Sequence, residues 1–281
     1  MATTLQRERA SATGAYHLGD AQRERERLDT QAAMLQPATE RLFREAGIGP
    51  GMRVLDAGCG TGEVTLLVAD LVGPSGSVVA VDRSPEMLAT VRSRAIERGH
   101  RQIETVATDI NELSGLAVDA VVGRLVLMHQ PNPVHALRQL AGVVPPGGVL
   151  AFLEYHFLPP TTLPHRPLFE RVFTWTIESL RRAGVDMEFG LRLYPVFREA
   201  GLPGPFVRLD PMIGAGEAPE MQRLFAETAR TCLPLIERFG LATRDEVGID
   251  TLEERLLAEA RAIDGLVVGP IQGTAWTRLA A

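Results

Sequence analysis

Asp56-Ala57-Gly58-Cys59-Gly60-Thr61-Gly62-Glu63-Val64 follows directly on the apolar run Met52 to Leu55. Val54 and Leu55 read as a strand ending on an acid; three glycines then stand at alternate positions, and Val64, Leu67, Val68 and Leu71 recur at helical spacing. A strand, a tight glycine turn and a helix together form the ligand-cradling entrance of a doubly wound α/β sheet. Glycine is needed because the turn visits backbone angles closed to residues with a Cβ, and because a ligand held there touches the main chain.

The spacing also narrows the ligand. In the dinucleotide fingerprint G-x-G-x-x-G a glycine would stand where this chain has Glu63, and no Gly-Lys-Ser/Thr follows to make a Walker loop. Asp56 and Glu63 flank the turn with negative charge, which opposes a pyrophosphate and suits a cationic ligand such as a sulfonium bearing an ammonium group. The run Val54 to Gly62, Val-Leu-Asp-Ala-Gly-Cys-Gly-Thr-Gly, resembles the first motif of the class I S-adenosylmethionine-dependent methyltransferases. The resemblance covers residues 47–160 and, more weakly, the final strands. It implies an α/β, Rossmann-like, doubly wound seven-stranded sheet, with S-adenosyl-L-methionine as cofactor and Asp56, Gly58, Gly60, Thr61 and Gly62 among the residues that bind it.

Composition agrees with small-molecule chemistry. A chain of 281 residues buries a substantial core. Its formal net charge of -6 disfavours nucleic acid, which draws on clustered Lys and Arg. Cys59 and Cys232 are the only cysteines, so neither a disulfide framework nor a Cys-rich metal site is expected, and a reducing cytoplasm suits them. The first residues, with Arg7, Glu8 and Arg9, lack the apolar core of a signal peptide, and no apolar run reaches the ~18 residues of a membrane span.

Helical periodicity begins near Asp20 and runs through Leu28, Leu35 and Leu42, with Pro37 expected to divide it into two helices. This segment, with the helical insertions, is expected to lie over the cofactor mouth. The family resemblance suggests that Tyr16 closes on the ligand; packing is the other reading. A β-branched run, Val78 to Val81, ends at Asp82, where an acid accepts hydrogen bonds from both ribose hydroxyls. Arg83 adjoins it, and Met87, in the first turn of the next helix, either packs on the adenine, as the resemblance implies, or belongs to the core. Ile103 to Ala107 leads to Asp109 and Ile110, which resemble the family's adenine-recognising pair; an Asx turn is the alternative. A fourth strand, Val118 to Arg124, runs into Leu125-Val126-Leu127-Met128-His129. His129 is the candidate catalytic base, with a capping or packing histidine as the other reading, and Arg124 is a candidate for the methionyl carboxylate. Val149 to Leu153 reads as strand five, followed by Glu154, Tyr155 and His156 at its polar end.

The expected organisation is an N-terminal helical lid (1–46), the cofactor-binding core (47–160), a helical cap (161–190), a core continuation (191–217), a second helical insertion (218–264) and a final core strand (265–281). Methyl transfer to a small, largely apolar, secondary-metabolite-like molecule is the expected function. The rival is a protein on the same fold that binds the cofactor without methyl transfer, of pericyclase or cyclase type. The acceptor is the only partner expected; nucleic acid and membrane are not, and monomer and homodimer both stay open.

Overall fold

A computed structural model describes residues 21–280 and resolves them into two compact units. Tyr16 lies outside the described residues. The sheet unit holds residues 32–156, 188–211 and 270–280; the helical unit holds 21–31, 157–187 and 212–269.

In the sheet unit, β1 (Arg53–Ala57), β2 (Ser77–Asp82), β3 (Ile103–Ala107), β4 (Ala120–Arg124) and β5 (Val149–His156) pair in parallel in the order β3-β2-β1-β4-β5. The last eight residues of β8 (Leu266–Arg278) continue the sheet antiparallel to β5, and β7 (Phe206–Ala215) pairs with β8. This is the doubly wound, seven-stranded arrangement expected. The central strands are apolar throughout because both faces are covered: Leu55, Val79, Val121 and Leu150 are fully buried. Strand order reverses between β1 and β4, so a crevice opens at their carboxyl ends, where such sheets bind ligands. The helices are α2 (Glu63–Val72), α3 (Pro85–Glu97), α4 (Pro133–Ala141) and α6 (Phe189–Glu199), together with residues 32–45 of α1 (Ala21–Glu45).

Two expectations change. Pro37 does not divide the first helix, which runs unbroken from Ala21 to Glu45. An interior proline costs a helix about 3 kcal/mol, and here the burial of Leu35, Ala38, Leu42 and Phe43 around it offsets that cost. Strand β8, Leu266–Arg278, lies within the final core strand expected over 265–281. Gly273 has a steric reason: a Cβ there would stand 2.6 Å from the Cα and 2.8 Å from the carbonyl oxygen of Gly190, at the start of α6. Gly273→Ala is therefore expected to lower stability by about 1–3 kcal/mol, read as a fall in the urea midpoint, since backbone has to move. Strand β6 (Thr161–Leu163), the second change, is described next.

The helical unit contains α5 (Pro167–Arg182), α7 (Pro219–Arg238), α8 (Arg244–Val247) and α9 (Leu252–Ala262). The short β6 pairs antiparallel with Leu266 to Val268 of β8. The aromatic residues of the first insertion serve this unit's own core. Phe225 of α7 meets Phe169 edge-on at 4.9 Å and Phe173 at 5.2 Å. Glu259 of α9 accepts from the free N–H groups of Leu168 (2.7 Å) and Phe169 (3.0 Å) and so caps α5. No helix among the described residues is long and apolar enough to cross a membrane.

Candidate functional site

The carboxyl ends of β1 to β5 bring most of the candidate residues onto one edge of the sheet unit. After β1 the chain turns through Gly58, Gly60 and Gly62 with φ of 68°, 50° and 92°. All three lie in the left-handed region that glycine tolerates. A Cβ on Gly58 would stand 2.6 Å from Val126 Cγ2, whereas nothing lies within 4 Å of one built on Gly60. The middle of the turn thus presents bare main chain to open space.

Asp82, at the tip of β2, is tied to this turn. Its Oδ2 accepts from Gly60 N at 3.0 Å and its Oδ1 from Ser84 N at 2.9 Å. A carboxylate has about four acceptor sites, so each oxygen keeps one for a ligand. Ser84 caps α3 through Met87 N, Met87 is half-buried, and Arg83 is exposed beside them.

The acids flanking the glycines do not both face outward. Asp56 is 1% exposed and accepts from Thr65 Oγ1 at 2.6 Å. Burial lifts its pKa to about 7 against the opposing effects of Thr65 and Arg124. Glu63 is paired with Arg94, whose guanidinium also donates to the Thr61 carbonyl. Cys59 is buried, and desolvation followed by the charges of Asp56 and Asp82 pushes its thiol pKa up.

Beyond β3, Asp109 Oδ1 accepts from the main-chain N (2.9 Å) and the side-chain amide (2.7 Å) of Asn111, forming an Asx turn, and Ile110 is buried. Asn111 also donates to Gln130 Oε1 at 3.1 Å, joining this loop to the one after β4. Arg124, at the end of β4, donates to Thr39 Oγ1 of α1 at 3.4 Å. Burial lowers the Arg124 pKa, opposed by Tyr155, Asp56 and Glu63.

His129 closes a single 3-10 turn, Leu127–His129. Its side chain is exposed at the strand-end edge of the sheet unit. Desolvation of the imidazolium, with Arg83 adding repulsion, lowers its pKa. The neutral form is therefore favoured.

The residue that sequence reading left without a role is Glu154. It is 0% exposed, and its carboxylate accepts from Val126 N (3.1 Å), Leu127 N (2.8 Å) and Met128 N (3.3 Å). Burial lifts its pKa to about 7, against those three bonds. The available signal was an acid directly following the apolar run Val149 to Leu153. Its neighbour His156 is also buried, with Nδ1 3.1 Å from the Glu188 carbonyl.

Residues 48–175 match a family described as "Methyltransferase domain". The chain is 35% identical over 145 residues to the aklanonic acid methyltransferase DauC of Streptomyces sp. (strain C5); the match covers 47% of this chain and 66% of DauC, just under two thirds. It is 32% identical over 176 residues to a demethylmenaquinone methyltransferase of Bacillus cytotoxicus, covering 57% of this chain and 73% of the relative. The chain belongs to the class I S-adenosylmethionine-dependent methyltransferases. The cofactor of this family is S-adenosyl-L-methionine. The fold also matches the [4+2]-cyclase SpnF, with a TM-score of 0.51 and 20% identity over 87% of this chain and 80% of that one. In this chain the candidate residues that end or follow β1, β2, β3 and β4 converge at the strand-order switch point. Asp56 lies beneath the glycine turn and Tyr16 is outside the described residues.

Proposed function

We propose that this protein transfers a methyl group from S-adenosyl-L-methionine to a small, largely apolar, secondary-metabolite-like or quinone-like acceptor. The observation that carries the cofactor assignment is the Asp82 carboxylate, held by Gly60 N and Ser84 N with one acceptor site left on each oxygen, beside open main chain at Gly60. Two vicinal ribose hydroxyls match those two acceptors. Gly58, Gly60, Thr61 and Gly62 form the cradle, while Arg83, Met87, Asp109 and Ile110 border the adenosyl side. Arg124 and the buried Asp56 set the charge at the methionyl end. The acceptor class rests on the relatives, whose names specify a quinone in one and an acid in the other.

When bound, the cofactor supplies an electrophilic methyl group on a sulfonium. The chain's part is then alignment, and oriented proximity contributes about 7 to 11 kcal/mol in favourable cases. His129 takes the acceptor's proton on an imidazole nitrogen, and its lowered pKa keeps that nitrogen free at neutral pH. His129→Ala is expected to lower kcat by about 100-fold or more with little change in S-adenosylhomocysteine affinity. In the wild type the rising limb of the pH profile should lie below the ordinary histidine value of about 6.5. Unchanged turnover in the variant would remove His129 from the reaction.

The function is tested by incubating the protein with the cofactor and either demethylmenaquinone or aklanonic acid, with mass detection of methylated product and S-adenosylhomocysteine. Isomerisation of an added polyene without S-adenosylhomocysteine release would favour the cyclase reading instead.

A further inference from the structure

Parallel pairing of β4 with β5 ends at Arg124 opposite Leu153, and Leu125 still donates to the Leu153 carbonyl at 2.8 Å. Leu125 then adopts φ of 54°, a conformation that crowds the Cβ of any residue other than glycine. Past it, the N–H groups of Val126, Leu127 and Met128 all meet the one carboxylate of Glu154. Within the turn itself, His129 N reaches the Val126 carbonyl at only 3.4 Å and Gln130 N the Leu127 carbonyl at 3.0 Å. The turn is therefore a weak structure by itself, and its first N–H groups depend on the acid beneath.

Val126 connects this turn to the cofactor loop. Its Cγ2 lies 2.6 Å from the place of a Cβ at Gly58, and its Cγ1 2.9 Å from that of a Cβ at Gly123. The Asp109–Asn111–Gln130 chain holds the far end, with Gln130 Nε2 donating to the Val126 carbonyl at 3.2 Å. An acid placed inside a sheet is costly unless its oxygens are filled; here three amides fill them.

We propose that Glu154 is the positioning residue of the methyl-transfer site: its carboxylate fixes residues 126–129 against the glycine loop and so sets where His129 stands. The inference rests on the methyltransferase reading and on the role of His129 in it. No shorter or neutral side chain does the same. Aspartate lacks one methylene of reach, and glutamine offers a single oxygen and turns two further N–H donors toward amides that are themselves donors.

Hydrogen exchange on the full-length protein tests this first without any variant. The amides of Val126, Leu127 and Met128 should exchange at least about 100-fold more slowly than in an unstructured peptide, although they precede or begin an isolated turn. Exchange at the peptide rate would overturn the proposal whether or not any variant folds. In Glu154→Gln the same amides should lose about tenfold or more of their protection while those of β1 and β2 keep theirs. The variant's kcat should fall at least about tenfold with S-adenosylhomocysteine affinity within about threefold, and Glu154→Asp should recover part of the loss. A folded Glu154→Gln protein with unchanged loop exchange, or with full turnover, would also overturn it. If the wild type methylates none of the acceptors offered, the methyltransferase reading fails separately, and exchange in the loop still decides whether Glu154 holds it.

Discussion

Replacing Asp82 by alanine is expected to weaken S-adenosylhomocysteine binding by on the order of 100- to 1000-fold. Hydrogen bonds to a charged group contribute about 1.5–3 kcal/mol each, and two ribose hydroxyls have two acceptor sites to lose. The carboxylate also holds Gly60 N and Ser84 N, so the cradle loosens at the same time. Calorimetric titration measures the loss. A cofactor analogue without the ribose hydroxyls separates the two effects. It should bind the wild type far more weakly than S-adenosylhomocysteine does, yet bind Asp82→Ala about as well as S-adenosylhomocysteine binds that variant. Affinity within threefold of wild type in Asp82→Ala would refute the ribose assignment.

The second large effect concerns stability and pH. Asp56 has an ordinary pKa of 3.8 and a folded value of about 7, raised by burial. A carboxyl group raised in this way favours the folded state fully below pH 3.8, and that contribution is lost as pH rises through about 7. Asn at position 56 stays neutral and cannot lose it, while its side-chain oxygen can still accept from Thr65 Oγ1. Between pH 5 and pH 8 the unfolding free energy of Asp56→Asn should therefore improve relative to wild type by about 2–3 kcal/mol. Glu154 titrates in the same window, but it is common to both proteins and cancels in the difference. Urea midpoints at the two pH values provide the measurement; a difference independent of pH would show that Asp56 is ionised throughout.

These two acids show how far residue patterns reach. Asp82 was legible because its position is local: a β-branched run ends at an acid, and the end of a parallel strand faces the ligand crevice whatever the rest of the chain does. The glycine positions were legible for the same reason, and Gly58, Gly60 and Gly62 all take the positive φ that the turn requires. Asp56 had the same kind of signal but a different environment. Its neighbours along the chain suggested a charged flank, and only the packing of Thr65 and the central strands encloses it. The first helix illustrates the converse, since Pro37 is a local breaker and the burial of Leu35, Leu42 and Phe43 overrules it.

From sequence alone came the doubly wound sheet and the strand-end acids, because each depends on spacing within a strand-turn-helix unit, and the cofactor class, through the family resemblance that Val54 to Gly62 carries. The turn at 126–129 was decided only by tertiary structure. Its N–H groups find their acceptor 26 to 28 residues away on the neighbouring strand, and no periodicity within the loop records that pairing. The same holds for Gly273, which is glycine because the backbone of Gly190 lies against it. Short-range steric rules are written in adjacent residues, whereas the partner of a buried charge or of a close backbone contact exists only after distant strands have met.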